Sequence, residues 1–237
     1  YITLLNQTGE YEQALDMLLR RNFHPWEGGE GKTTGQYVYS LIQIARKHLR
    51  NKEYKKALKT LDRARNYPRN LGEGKLPTIT DNDINYFTGC VFHCMGSEQQ
   101  ANQFFKKACE GADDLKMAMY YYDLPPETIF YKALALKKLG EKDQAKNRFQ
   151  SLIDYGQKHL DDECSIDYFA ISLPNFLIFE DDLNVRNRAH CSYLMGLGYL
   201  GIGEIEKSRE QFKSVLELDI NHIGTLMFKD SLYEFTK

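Results

Sequence analysis

Small and large apolar residues recur along the chain at helical spacing, and one arrangement of them returns several times. In its clearest form it runs Gly89-x-x-Phe92-x-x-x-Gly96, then Ala101-x-x-x-Phe105-x-x-Ala108. It returns as Ala133-x-x-Leu136-x-x-x-Gly140 with Ala145-x-x-x-Phe149-x-x-Leu152. A third copy is Gly196-x-x-Tyr199-x-x-x-Gly203 with Ser208-x-x-x-Phe212-x-x-Val215. Upstream stands Ala45-x-x-His48, then Tyr54-x-x-Ala57-x-x-x-Leu61-x-x-Ala64, and a half copy opens the chain as Gly9-x-Tyr11-x-x-Ala14-x-x-x-Leu18. Residues three and four apart share one face of a helix, so each copy predicts two helices joined by a turn. The small residues let the helices approach closely, and the large ones fill the space between copies. The pattern predicts a half repeat over 1–24 and repeats over about 36–68, 82–110, 126–156 and 189–220. A helical insert is expected over about 160–186, around "SIDYFAISLP" and ended near Pro174, with a capping helix over 222–235. The predicted fold class is all-α: one domain, 1–237, forming an α-solenoid of helix pairs with extended inter-repeat loops.

These residues resemble the tetratricopeptide repeat (TPR), whose signature is W-x2-L-G-x2-Y, then A-x3-F, then P. The resemblance covers most of the chain. The period departs from it: equivalent alanines at 14, 57, 101 and 145 are 43, 44 and 44 residues apart, and Ser208 follows after 63. The family's unit is about 34 residues, so each copy here carries an extra connection of about ten.

The first connection contains "PWEGGEGKTTG", residues 25 to 35, which looks like a nucleotide-binding phosphate loop. That motif requires Gly six residues before its Lys, where this chain has Trp26. Glu30 would also put a carboxylate where amide donors must cradle phosphate. The preceding "YEQALDMLLRR" is an amphipathic helix rather than a buried strand. A second copy decides the matter: "NFHPWEGGEGK" ends at Lys32 and "NYPRNLGEGK" at Lys75, 43 residues later and in phase with the repeat. Gly-Glu-Gly-Lys is therefore an inter-repeat loop. Glu30, Lys32, Glu73 and Lys75 are expected on one edge of the array, beside His24, Trp26 and Glu27. Two readings stay open, loop packing with ion pairs or a ligand- or domain-docking site.

Charge narrows the partners. Lys and Arg number 31 against 33 Asp and Glu, so nothing pulls the chain as a whole toward nucleic acid or anionic lipid. No apolar run approaches the roughly 20 residues of a membrane span. Five scattered cysteines make no disulfide framework, and free thiols point to the cytoplasm. Tyr1 in place of Met reads as the start of a piece of a longer chain, whose missing N-terminus leaves export open.

"HPWEGGEGK", "YPRNLGEGK", "YYDLPPE" and "DYFAISLPNF" together resemble the C-terminal repeat region of a family of large bacterial proteins. In that family the repeats follow a β-rich region related to carbohydrate-active enzymes. The resemblance implies a bacterial source and sugar chemistry elsewhere in the parent chain.

In tetratricopeptide proteins the first helix of each unit lines a concave wall. Aligning the copies places Arg46, Arg50, Tyr86, His93, Phe130, Lys137, Lys138, His190 and Tyr193 there, with an aromatic recurring at one register. Aromatic faces beside cations suit peptides, sugars or carboxylate tails, while ordinary inter-helix packing explains the same pattern. The chaperone-binding carboxylate clamp of that family is not discernible. Cys90, His93 and Cys94 share one helix face but lack a fourth zinc ligand, so no metal and no cofactor is expected. Asp161-Asp162-Glu163 and Glu180-Asp181-Asp182 read as solvated loop or helix-start residues. No catalytic dyad or carboxylate pair can be placed. The expectation is a non-catalytic interaction module whose partner is a protein or the chain's own N-terminal domain. The alternative is an accessory domain lending loop residues to a carbohydrate-active enzyme, with a carbohydrate as ligand.

Overall fold

The computed structural model describes residues 1–24, 29–76, 79–116, 123–165 and 182–229. Among them the regular structure is entirely helical, with eleven α-helices and one short 3-10 turn. The protein is all-α, as the repeat pattern requires. It divides into two compact units, Tyr1–Gly111 and Ala112–Lys237.

The first unit holds α1 (Ile2–Gln7), α2 (Tyr11–Arg20), α3 (Lys32–Arg50), α4 (Tyr54–Ala64), α5 (Asn82–Cys94) and α6 (Glu98–Ala108). The second holds α7 (Pro126–Lys138), α8 (Lys142–His159), α9 (Leu183–Ile202), α10 (Ile205–Leu218) and α11 (Ile223–Lys229). Turns of two or three residues fold α1 onto α2, α3 onto α4, α5 onto α6, α7 onto α8 and α9 onto α10. Each turn passes through the left-handed region, at Gly9, Lys52, Gly96, Gly140 and Gly203, with φ between 60° and 89°. A Cβ is costly there, and glycine occupies four of the five positions.

The repeated small residues lie where the paired helices touch. Ala14, Ala57, Ala101 and Ala145 are at most 2% exposed. Ser208 is fully buried and donates its hydroxyl to the Gly196 carbonyl at 2.8 Å, so a polar residue takes the alanine position without an unpaired group. At Gly89 and Gly196 a Cβ would stand 2.6 and 2.5 Å from the rings of Phe105 and Phe212. The recurring aromatic register packs onto those same second-helix rings. Centroid separations are 6.0 Å for Tyr86–Phe105, 5.8 Å for Phe130–Phe149 and 6.0 Å for Tyr193–Phe212.

Of the two readings left open for that register, the burial of these rings fits ordinary inter-helix packing. Tyr86, Phe130 and Tyr193 are 5%, 0% and 1% exposed, because each ring packs inside its own helix pair, with Tyr193 also lining a cavity described below. Arg46 is buried as well, donates to Gln43 Oε1 at 3.0 Å and lies 5.6 Å from the centroid of Phe87. Arg50, Lys137 and Lys138 are exposed. His93 is half exposed and pairs with Glu98 at 2.8 Å.

One helix boundary differs from the sequence reading. The first helix of the repeat predicted from about 36 begins at Lys32, which makes α3 19 residues long against 13 in α5 and α7. In the second unit Lys132 is fully buried. It donates to the Ala112 carbonyl at 2.5 Å and pairs with Asp113 at 3.0 Å, which also holds Arg148 at 2.8 Å. That network fastens the segment before α7 to α7 and α8. Trp26 and Glu27, most of the predicted insert (166–181) and the end of the predicted capping helix (230–235) lie outside the described residues.

Candidate functional site

The two Gly-Glu-Gly-Lys loops are neighbours in the first unit, and the second loop caps both ends of the first. Asn70 donates through Nδ2 to the carbonyls of Leu18 and Arg21, each at 2.7 Å, where α2 ends. The Phe23 amide donates to the Asn70 carbonyl at 2.7 Å. At the other end Glu73 Oε2 accepts from the Gly31 amide at 2.9 Å and from the Thr34 hydroxyl at 3.3 Å. Helix α3 has no acidic residue in its first turn and opens on Lys32, the wrong charge for a helix N-terminus. Glu73 supplies the missing carboxylate from the next loop.

Lys75 turns away from the other loop. It bonds to Asp81 and to the Arg65 carbonyl at 3.3 Å, and lies 5.9 Å from the centroid of Tyr67. His24 and Lys32 are exposed and Glu30 is half-buried. The identical strings also differ in backbone. Gly31, the third residue of the first copy, is left-handed at φ 77° just before α3. In the second copy Gly72, the first residue, is left-handed at φ 81° after the 3-10 turn Arg69–Leu71.

A second place gathers more chemistry. In the second unit a cavity of about 750 Å³ opens between the first turn of α7, the N-terminal half of α9 and the junction of α10 with α11. Its lining includes Pro126, Glu127, Asp182, Val185, Arg186, Ala189, His190, Tyr193, Leu218, Asp219, His222, Ile223 and Gly224. Two of these, His190 and Tyr193, belong to the residues singled out from the sequence. Asp182 was read from the sequence only as a loop or helix-start residue, and the others escaped because the segments are far apart in the chain and carry no shared motif.

The polar groups of this cavity are held in defined positions. Tyr193 donates its hydroxyl to Glu127 Oε1 at 2.6 Å. Gly224 permits the contact, since a Cβ there would stand 2.4 Å from the Tyr193 oxygen and 2.9 Å from Glu127 Oε1. Asp182 caps α9, its Oδ1 accepting from the amides of Asn184 at 2.9 Å and Val185 at 3.3 Å. Asp219 Oδ1 accepts from the Asn221 amide at 2.9 Å.

Both imidazoles are tuned toward neutrality. His190 donates from Nε2 to the Lys116 carbonyl at 2.9 Å, yet burial outweighs that bond and pulls its pKa from 6.5 to about 4. Burial also lowers the pKa of His222, against the opposing pull of the Glu127 and Asp219 carboxylates. His222 Nδ1 receives the Thr225 amide at 3.2 Å, so this nitrogen is an acceptor and the ring proton sits on Nε2. The His222 ring lies 4.6 Å from that of Tyr193, centroid to centroid. Among the described residues no three His, Cys, Asp or Glu side chains converge as metal ligands.

No family model matches the chain. Among solved structures it is similar to the crystal structure of YrrB, a TPR protein with an unusual peptide-binding site. Identity is 16%, over 97% of this chain and 88% of that one, with a TM-score of 0.31.

Proposed function

We propose that this chain is a non-catalytic interaction module and that the cavity of the second unit is where it engages a polypeptide partner. One observation carries the reading. The cavity's hydrogen-bonding groups (Glu127, Asp182, His190, Tyr193 and His222) are fixed by contacts within the unit before any ligand arrives. Preorganised polar groups in a cavity of several hundred Å³ suit binding, because little ordering entropy remains to oppose it. Exposed apolar residues adjoin the opening: Leu218 is 41% and Ile220 75% exposed. Such a margin suits a chain laid across the surface with one side chain inserted.

The exposed His24 and Lys32 in the first unit are a second candidate contact, toward a partner or toward the remainder of a longer chain. The cavity reading is tested by panning a randomised peptide display library against the intact chain. Val185 lines the cavity and is half-buried, so Val185→Trp fills it. Sequence-specific peptides that lose binding to Val185→Trp are the expected result. Recovery of no specific peptide, or of peptides indifferent to that substitution, would overturn the reading.

A further inference from the structure

We infer that the second-unit cavity selects a positively charged side chain, arginine above all, on the polypeptide that it binds; this rests on the interaction-module reading above. Among the described residues the lining carries three carboxylates, Glu127, Asp182 and Asp219, against one guanidinium, that of Arg186. Burial keeps both lining imidazoles uncharged at neutral pH, so the two histidines do not offset the remaining negative charge. Glu127 is half-buried in this concavity, where its charge is screened less than on an open surface, while Asp182 and Asp219 are exposed and add a weaker, salt-sensitive attraction.

Geometry sharpens the charge argument. Glu127 is held at Oε1 by the Tyr193 hydroxyl, and Asp219 at Oδ1 by the Asn221 amide. In each case the second carboxylate oxygen has no hydrogen-bond partner among the described residues. Two fixed carboxylates with free acceptors are what a planar, multiply donating guanidinium satisfies better than a compact ammonium. His222 adds a complementary signal. Its Nδ1 is committed to Thr225, and its Nε2–H has no acceptor among the described residues although the ring lines the cavity. A donor left open beside acceptors suits the backbone carbonyl of the residue that carries the inserted side chain. The exposed Leu218 and Ile220 then lie beside neighbouring apolar positions of the same segment. Arg186 works against the inserted cation, which gives the inference a sign that can be tested in both directions.

The experiment uses the intact chain and two small probes, Nα-acetyl-arginine N-methylamide and its uncharged citrulline analogue. Binding is read from the imidazole NMR resonances of His190 and His222. Saturable shifts with the arginine probe are expected, with at least tenfold weaker binding of the citrulline probe. Glu127→Gln keeps an acceptor for the Tyr193 hydroxyl and is expected to weaken arginine binding about tenfold. Arg186→Gln is expected to strengthen it. Equal binding of the two probes, no saturable shift, or an Arg186→Gln effect of the opposite sign would overturn the inference. The two readings fail separately. Display peptides that lack a basic residue but are lost in Val185→Trp sink the charge preference alone. Arginine-probe binding with no display peptide sinks the polypeptide reading alone.

Discussion

Gly198→Ala and Gly35→Ala are the same chemical change in two helices, and the structure gives them opposite signs. In a helix interior alanine is favoured over glycine by about 1 kcal/mol, so propensity alone would stabilise both variants. Gly35, in α3, is exposed, and a Cβ there would meet nothing within 4 Å. Gly198, in α9, faces α8: its Cβ would stand 2.5 Å from Ile153 Cγ1 and 2.6 Å from the Phe149 carbonyl oxygen. A side chain can rotate away, but a carbonyl of the opposing helix cannot move unless the helices separate. Gly156 makes the same kind of contact from the other side, its Cβ position lying 2.6 Å from the Cys191 carbonyl oxygen. Overpacking costs about 1–3 kcal/mol, and displacing backbone puts Gly198→Ala at the upper end of that range. After the propensity gain the net expectation is a loss of about 2 kcal/mol. Gly35→Ala should gain about 0.5–1 kcal/mol. Urea denaturation followed by far-ultraviolet circular dichroism measures both. A Gly198→Ala protein as stable as the parent would mean that α8 and α9 do not approach this closely.

Three further outcomes are expected. Glu73→Ala removes the acceptor at the start of α3 and should lower stability by about 1 kcal/mol, read as a lower melting temperature; an unchanged melt would leave Glu73 without a structural role. Among the described residues Lys52 is the one non-glycine with positive φ, so Lys52→Gly releases about 1–2 kcal/mol of strain against about 0.5–1 kcal/mol of added chain entropy. A small gain in the denaturation midpoint is expected, and a loss would contradict the turn geometry. His190 has a folded pKa of about 4 against 6.5, so below pH 6.5 the unfolded chain binds a proton that the native chain does not. Its contribution is therefore complete above pH 6.5 and lost as pH falls toward 4, up to about 3 kcal/mol. Stability measured across that window should flatten in His190→Gln, leaving the slope due to His222.

The helix pairs were legible in the sequence because their determinants are local. Ala14, Ala57, Ala101, Ala145 and Ser208 keep one phase, and every one of them is buried at a close helix contact. The left-handed turn residues Gly9, Lys52, Gly96, Gly140 and Gly203 keep the same steps. A helical period and a turn that must reverse within a few residues act over short stretches, so the residues record them directly.

Tertiary structure alone decided the rest. Two identical Gly-Glu-Gly-Lys strings adopt different backbones, because one leads straight into a helix and the other must reach back to cap it. Arg46 and Lys132 look like solvent-facing charges in the sequence, yet both are buried. Nothing in its own helix tells Lys132 that the Ala112 carbonyl and Asp113 wait beside it. The aromatic register is periodic, but only packing assigns it to the interior of each helix pair. The cavity is the extreme case, drawn from the start of α7, the first half of α9 and the α10–α11 junction. Its Glu127, Tyr193 and His222 acquire a shared chemistry only where three chain segments converge, since hydrogen bonding and burial depend on neighbours in space and not on spacing along the chain.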